Sequence, residues 1–436
     1  MENVVLSKIK NLTLFTSRNF NLLLYIIIGV CVVLKGPFFH PDSFAFLEMA
    51  LNRSPLYVLV LKLFTILFGD NYIWPLIGAQ FLATVYAVHY LLKIIVKQFR
   101  PHAIETFVLQ FILLSPSVYF NYTSGAVLSE AISYPLVLLV FALGFKAFAT
   151  LHIRPLLKSA IPLYFLILTR GQFIVFVPVF IALGIYISYQ NKESIKKWLS
   201  LLVLVLLPLF TNFSERLYNK IMFGYFENNT MNYVHLITTD FYLSNASTVK
   251  VFDDPDEIQY FNIVHASLEK AGLTSQNAED RNESTITVFN SEFSDICNQR
   301  IHELGLVYFQ EKGLNYFEQN RALNKLCKGM FFKMIQFNFK ERIRFFAKNL
   351  KVSYGSAKQL LLFILLIVYA LIMVYKTKTA IFKFILLGSV LMLANNVLIA
   401  FIIHAIKRYT FYFDWILFAT LIVVFNAISK KIRHEN

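Results

Sequence analysis

Long apolar runs recur along this chain at roughly 20–35, 72–96, 104–120, 127–149, 159–170, 173–189, 198–213, 359–375, 380–403 and 410–429, and most have the length of a helix that crosses a bilayer. A backbone in hydrocarbon must satisfy its own N–H and C=O groups, so helices are the form such runs take. With 57% hydrophobic and 15% charged residues over 436 positions, the chain is too apolar for a soluble protein of its size. The expected fold class is all-α membrane: a polytopic helical bundle of about ten transmembrane helices.

Loop charge sets the expected orientation, because short loops rich in Lys and Arg stay cytoplasmic. Lys8, Lys10 and Arg18; Lys97, Arg100 and His102; His152, Arg154 and Lys158; Lys192, Lys196 and Lys197; Lys376 and Lys378; and Lys430, Lys431 and Arg433 fall in alternate loops. Both termini are therefore expected in the cytoplasm, in a multi-pass protein of the plasma (inner) membrane. The first apolar run lacks a small-residue cleavage site and reads as a retained anchor. Of 26 acidic and 41 basic side chains, 17 and 16 lie in 214–355, leaving 9 against 25 elsewhere, so the net charge of +15 is a topology signal. It is not a nucleic-acid footprint, which would be a basic face on a soluble domain.

Three parts are expected: an N-terminal membrane core 1–213 with a first external loop at 36–71, an extracytoplasmic domain 214–355, and C-terminal membrane helices 356–436. Within the first loop, 43–51 and 55–68 have helical apolar spacing but are short, and Pro55 and Gly69-Asp70-Asn71 bound the second. Both are predicted to lie in the interface as amphipathic helices. The 214–355 segment is more polar, notably at Asp253-Asp254-Pro255-Asp256-Glu257, keeps many Phe and Tyr, and reads as a mostly helical domain with its own core. Its portion from Phe331 to Phe346 mixes Phe with Lys and Arg as an interfacial helix does. Cys297 and Cys327 share this segment, which leaves a disulfide open, and Asn121, Asn228, Asn245 and Asn282 open Asn-x-Ser/Thr triplets on the external side.

Ionisable residues at a membrane edge are costly and so are functional candidates. On the external side these are Asp42, Glu48, Glu130, Arg170, His404, Lys407, Arg408 and Asp414. Each has a plainer role open to it. Asp42 could cap the helix after it, Glu48 could be solvated, and Glu130 could be a first-turn acid favoured by the helix dipole. Arg170 could bridge to Glu130, Arg408 could reach for headgroups, and Asp414 could be a paired interfacial residue. No Cys/His cluster with zinc spacing, Gly-rich phosphate loop or Gly-x-Ser-x-Gly elbow is present, so no cofactor is expected; a loosely held divalent ion on Asp42 or Glu48 stays open.

Asp42-Ser43 with Ala50, then Arg53-x-Pro55-Leu56-Tyr57, Leu128-Ser129-Glu130, Leu168-Thr169-Arg170 and Arg408-Tyr409 together resemble the GT-C superfamily of integral-membrane glycosyltransferases, which includes protein mannosyltransferases and the aminoarabinose transferases of lipid A. The resemblance covers roughly 20–213 and 355–429 and leaves out the external domain. It implies inverting transfer of a sugar from a polyprenyl-phosphate donor to a lipid, glycan or protein acceptor on the extracytoplasmic face. It also implies Asp42 as general base. A Tyr often follows the family's Asp-Ser pair, where this chain has Phe44 and Phe46.

A leaving phosphate needs fixed positive charge, for which Arg408 is the first candidate, with Arg170 and His404 after it. His404 and Arg408 would share a face if one helix ran through both. Glu48, Glu130, Tyr57 and Tyr409 are expected as acceptor-side or supporting residues. A polysaccharide polymerase or ligase would rest on loop Arg and His residues and tolerate loss of Asp42. A transporter or flippase would need broken spans with midplane charges, whereas the charges here sit at one face.

Overall fold

The computed structural model describes residues 21–119, 122–192 and 195–435. Lys8, Lys10, Arg18 and Asn121 lie outside the described residues, as do the side chains of Lys196, Lys197 and Arg433. The described chain is helical, without a β-strand; one isolated parallel bridge joins Phe38 to Ala126.

Seven helices among the described residues are long and apolar enough to cross a membrane: Ile73–Phe99, Glu130–Thr150, Gly171–Gln190, Trp198–Phe223, Ala357–Thr377, Ala380–Ile402 and Lys407–Ile432. Seven of the expected spans are present as such helices. Three apolar runs give shorter helices, Asn21–Lys35, Ala103–Ser117 and Ile153–Thr169. At 1.5 Å per residue, helices of this length reach roughly 20–26 Å, less than the ~30 Å hydrocarbon layer. Pro116 ends the second, and the extended backbone of Arg170 (φ −151°, ψ 112°) ends the third.

Contacts divide the chain into two units. Among the described residues, the first comprises those of 21–211, 365–392 and 412–435. Its buried centre is aromatic: Phe141, Phe145, Phe384 and Trp415 meet mostly edge to face, at 5.0–6.4 Å between ring centres. Glycines let the helices close in. A Cβ at Gly144 would meet Phe180 Cζ at 2.9 Å, and one at Gly388 would meet Ile416 Cδ1 at 2.6 Å, the small-residue packing common between membrane helices.

The first loop forms the two short helices expected of it, Pro41–Leu47 and Pro55–Phe68. Pro sits at the start of each, where its missing N–H has no helical partner to lose. The second is not polar on its outer side. Tyr57, Val58 and Leu61 are buried, while Leu63, Ile66 and Leu67 are exposed, so apolar groups cover nearly its whole circumference, as lipid contact allows.

The second unit comprises 212–364 and 393–411. Helices Asn232–Leu243, Pro255–Ala271, Thr285–Ser294, Tyr316–Phe337 and Phe339–Ser353 enclose a core that includes Phe241, Tyr242, Tyr260, Phe261, Phe289 and Phe345. The caps are legible in the side chains. Asp254 Oδ1 accepts from the Asp256 amide at 2.8 Å, and Asn315 accepts from the Phe317 and Glu318 amides at 3.1 Å each while Glu318 reaches back. Cys297 and Cys327 are buried free thiols in this core, not a disulfide. Burial pushes the Cys297 thiol up to about 12, so it packs as a small apolar group.

Candidate functional site

In the first unit, Asp42 occupies the first turn of Pro41–Leu47 without being its cap. His40 is the cap: its Nδ1 accepts from the Asp42 amide at 3.2 Å, and Ser43 Oγ accepts from the His40 amide at 2.9 Å. The carboxylate instead faces Arg53, whose Nη2 donates to Oδ1 at 3.0 Å, with the Asp42 side chain 30% exposed. His40 Nδ1 stands 3.6 Å from Oδ2.

A fold-back of the chain joins these residues. Met49 adopts a left-handed φ of 56°, the Ala50 amide donates to Ala45 O at 2.9 Å, and the Arg53 amide donates to Ala50 O at 3.0 Å. The Arg53 guanidinium lies 5.0 Å from the Phe46 ring centre, a cation–π contact that fixes its plane. Glu48 ends the short helix and is exposed.

Phe46 also packs edge-on against Tyr57, at 5.2 Å between ring centres. Tyr57 is fully buried and donates its hydroxyl to Gln80 Oε1 at 3.0 Å. Gln80 Nε2 in turn donates to Ser124 O at 2.9 Å and to Ala126 O at 3.3 Å. The Phe38 amide donates to Gly125 O at 2.9 Å, and the Val127 amide to Phe38 O at 3.0 Å. The first loop is thus tied at Phe38 and, through Gln80, at Tyr57 to 124–127, the stretch that leads into Glu130.

Glu130 opens the helix Glu130–Thr150 with its side chain 1% exposed, and its Oε1 lies 2.6 Å from Arg170 Nη1, whose side chain is 12% exposed. Ser129 Oγ donates to Oε2 at 3.2 Å. Two charges this deep persist only when paired and hydrogen-bonded, and removing one partner leaves the other stranded at a cost of about 3–5 kcal/mol. Asp42–Arg53, Tyr57–Gln80 and Glu130–Arg170 therefore belong to one unit and are linked by continuous contacts from Asp42 to Gln80 and the 124–127 strand of chain.

The second unit assembles His404, Arg408 and Tyr409. The helix Ala380–Ile402 stops before His404 and a separate turn, Lys407–Thr410, begins after it, so the shared helical face expected for His404 and Arg408 is absent. The His404 ring sits 4.2 Å from Phe293 and 5.4 Å from Tyr409, centre to centre. Burial, with the nearby His235 and Arg408 charges, pulls its pKa down to about 4. A neutral imidazole brings hydrogen bonding and no charge at pH 7. Arg408 is half-buried, its guanidinium 5.9 Å from the Tyr409 ring, and Tyr409 O accepts from Asn395 Nδ2 at 3.1 Å. Asp414 falls in the first unit.

Sequence reasoning missed Arg53 as the partner of Asp42 and Gln80 as the partner of Tyr57. Arg53 stood in the Arg-x-Pro-Leu-Tyr motif, and a polar Gln within the apolar 72–96 run was the available signal for the other. Among the described residues, no three His, Cys, Asp or Glu side chains cluster as a metal would require. No family model matches this chain, and neither a curated protein nor a solved structure matches it significantly.

Proposed function

We propose that this membrane protein is a glycosyltransferase of GT-C type, moving a sugar from a polyprenyl-phosphate carrier to a lipid, glycan or protein acceptor at the extracytoplasmic face of a plasma membrane. The observation that carries this reading is the Asp42 carboxylate: partly exposed, in the first turn of a short membrane-edge helix, and oriented by Arg53. A carboxylate so held can take the proton of an acceptor hydroxyl as that oxygen attacks the anomeric carbon from the face opposite the phosphate. The bond to phosphate breaks as the new glycosidic bond forms, so the configuration inverts.

The departing polyprenyl phosphate needs fixed positive charge. Arg408 is the proposed donor-phosphate residue, because a guanidinium can pair with two phosphate oxygens at once. Glu130–Arg170 then serves as the brace that sets the ends of two membrane helices beside the first loop.

The test is release of free polyprenyl phosphate by the full chain in lipid nanodiscs, with a panel of polyprenyl-phosphate sugars and lipid or glycan acceptors, beside Asp42→Asn. Sugar-dependent release that the variant loses is the expected result. Absence of release from every donor would turn the assignment toward a polymerase, ligase or transporter.

A further inference from the structure

The helix Phe339–Ser353 is built inside out relative to a soluble protein. Its buried residues include Arg342, Asn349 and Ser353, with Phe345 beside them, while Phe339 and Ile343 are exposed. The roll of the helix is fixed by polar anchors. Arg342 Nη1 donates to the fully buried Asp240 Oδ2 at 2.9 Å and Nη2 to Phe401 O at 2.7 Å. Asn349 Nδ2 donates to Ala400 O at 3.0 Å and Ile403 O at 2.9 Å, and Asn396 Nδ2 donates to Ser353 O at 3.3 Å.

With the roll set, the exposed circumference can be read at 100° per residue. One sector holds Phe339, Ile343 and Ala347; the next holds Lys340, Arg344, Lys348 and Lys351, and Glu341 and Val352 lie between these cations and the buried face, all exposed. The helix must also lie at the membrane boundary. It is bonded to the end of the apolar helix Ala380–Ile402, and three residues, Tyr354-Gly355-Ser356, separate it from Ala357–Thr377. Four steps of chain span at most roughly 14 Å.

We propose that Phe339–Ser353 is an anionic-phospholipid site. Its apolar sector enters the edge of the acyl layer, and its four cations bind the phosphodiester headgroups of the adjoining leaflet. An apolar face bordered by Lys and Arg is the chemistry of a helix lying in a charged interface. The anchored polar face explains why this helix offers that surface in one fixed orientation. The proposal stands independently of the glycosyl-transfer reading, since it needs only the membrane location.

The experiment uses the purified full chain in nanodiscs of phosphatidylcholine with or without phosphatidylglycerol, and reads retained lipid by native mass spectrometry together with thermal unfolding. The wild type is expected to retain phosphatidylglycerol preferentially and to gain Tm from it, with the gain shrinking at high salt. The quadruple change Lys340→Gln, Arg344→Gln, Lys348→Gln, Lys351→Gln is expected to weaken retention about tenfold or more, from roughly fivefold per cation with incomplete additivity. Its Tm in pure phosphatidylcholine should stay unchanged. A control, Lys250→Gln with Lys270→Gln and Lys325→Gln, removes exposed charge elsewhere on the same unit and should retain the lipid. Equal retention of the two lipids by the wild type, wild-type retention by the quadruple variant, or an equal loss in the control would overturn the assignment.

Discussion

At the scale of single residues, the Asp42–Arg53 pair separates chemistry from stability. Asp42→Asn should lower turnover about 10²–10⁴-fold, the usual contribution of a positioned base. Arg53→Ala should lower it by about 10–100-fold through misplacement of the carboxylate. Neither should move the unfolding midpoint far, because a partly exposed ion pair contributes only about 0–1 kcal/mol. Turnover and Tm measured on the same preparations check both; a Tm that collapses with the rate would make Asp42 a structural residue.

His404 gives the opposite signature. Its folded pKa of about 4 lies below the ordinary 6.5, so between these values the unfolded chain binds the proton more readily. Its contribution is fully present above about pH 6.5 and is lost as pH falls toward 4, by up to about 3 kcal/mol. Thermal unfolding of the wild type and His404→Gln across that window should show the acid-side decline flattened in the variant. Both chemical candidates stood in the sequence as membrane-edge charges, yet their settings were not legible there. Arg53 reaches Asp42 only through the left-handed turn at Met49, and the acidity of His404 depends on Phe293, far away in the chain.

At the scale of elements, the ends of helices carry the information that apolar runs omit. The runs located the seven long helices well, because burial in hydrocarbon needs only length and composition. Three further runs, 20–35, 104–120 and 159–170, correspond to shorter helices, and the run 380–403 ends where its helix does, just before His404. That stop has a visible cause: the last carbonyls of Ala380–Ile402, which have no partner within the helix, are taken by Arg342 and Asn349. Asn349→Ala should therefore cost about 1–3 kcal/mol, the penalty for stranding buried carbonyls. Chemical unfolding of the reconstituted protein measures it, and a loss well below that range would assign the stop to chain geometry instead.

At the scale of the whole molecule, the polar segment 214–355 was readable from composition, whereas its grouping with 393–411 was not, since it rests on side chains such as Asn290, whose Oδ1 accepts from the Ala405 amide at 2.6 Å across a long stretch of chain. The Glu130–Arg170 pair carries the same lesson into biogenesis. Glu130 is synthesised before Arg170, with the two helices Glu130–Thr150 and Ile153–Thr169 between them. A nascent chain ending before residue 170 must therefore commit a carboxylate to the membrane edge with no cation to meet it. Stalled intermediates truncated ahead of Arg170 are expected to leave the Glu130 end of its helix open to a water-soluble label, and intermediates that include Arg170 to protect it, so that one ion pair sets the moment at which this part of the chain settles at the membrane edge.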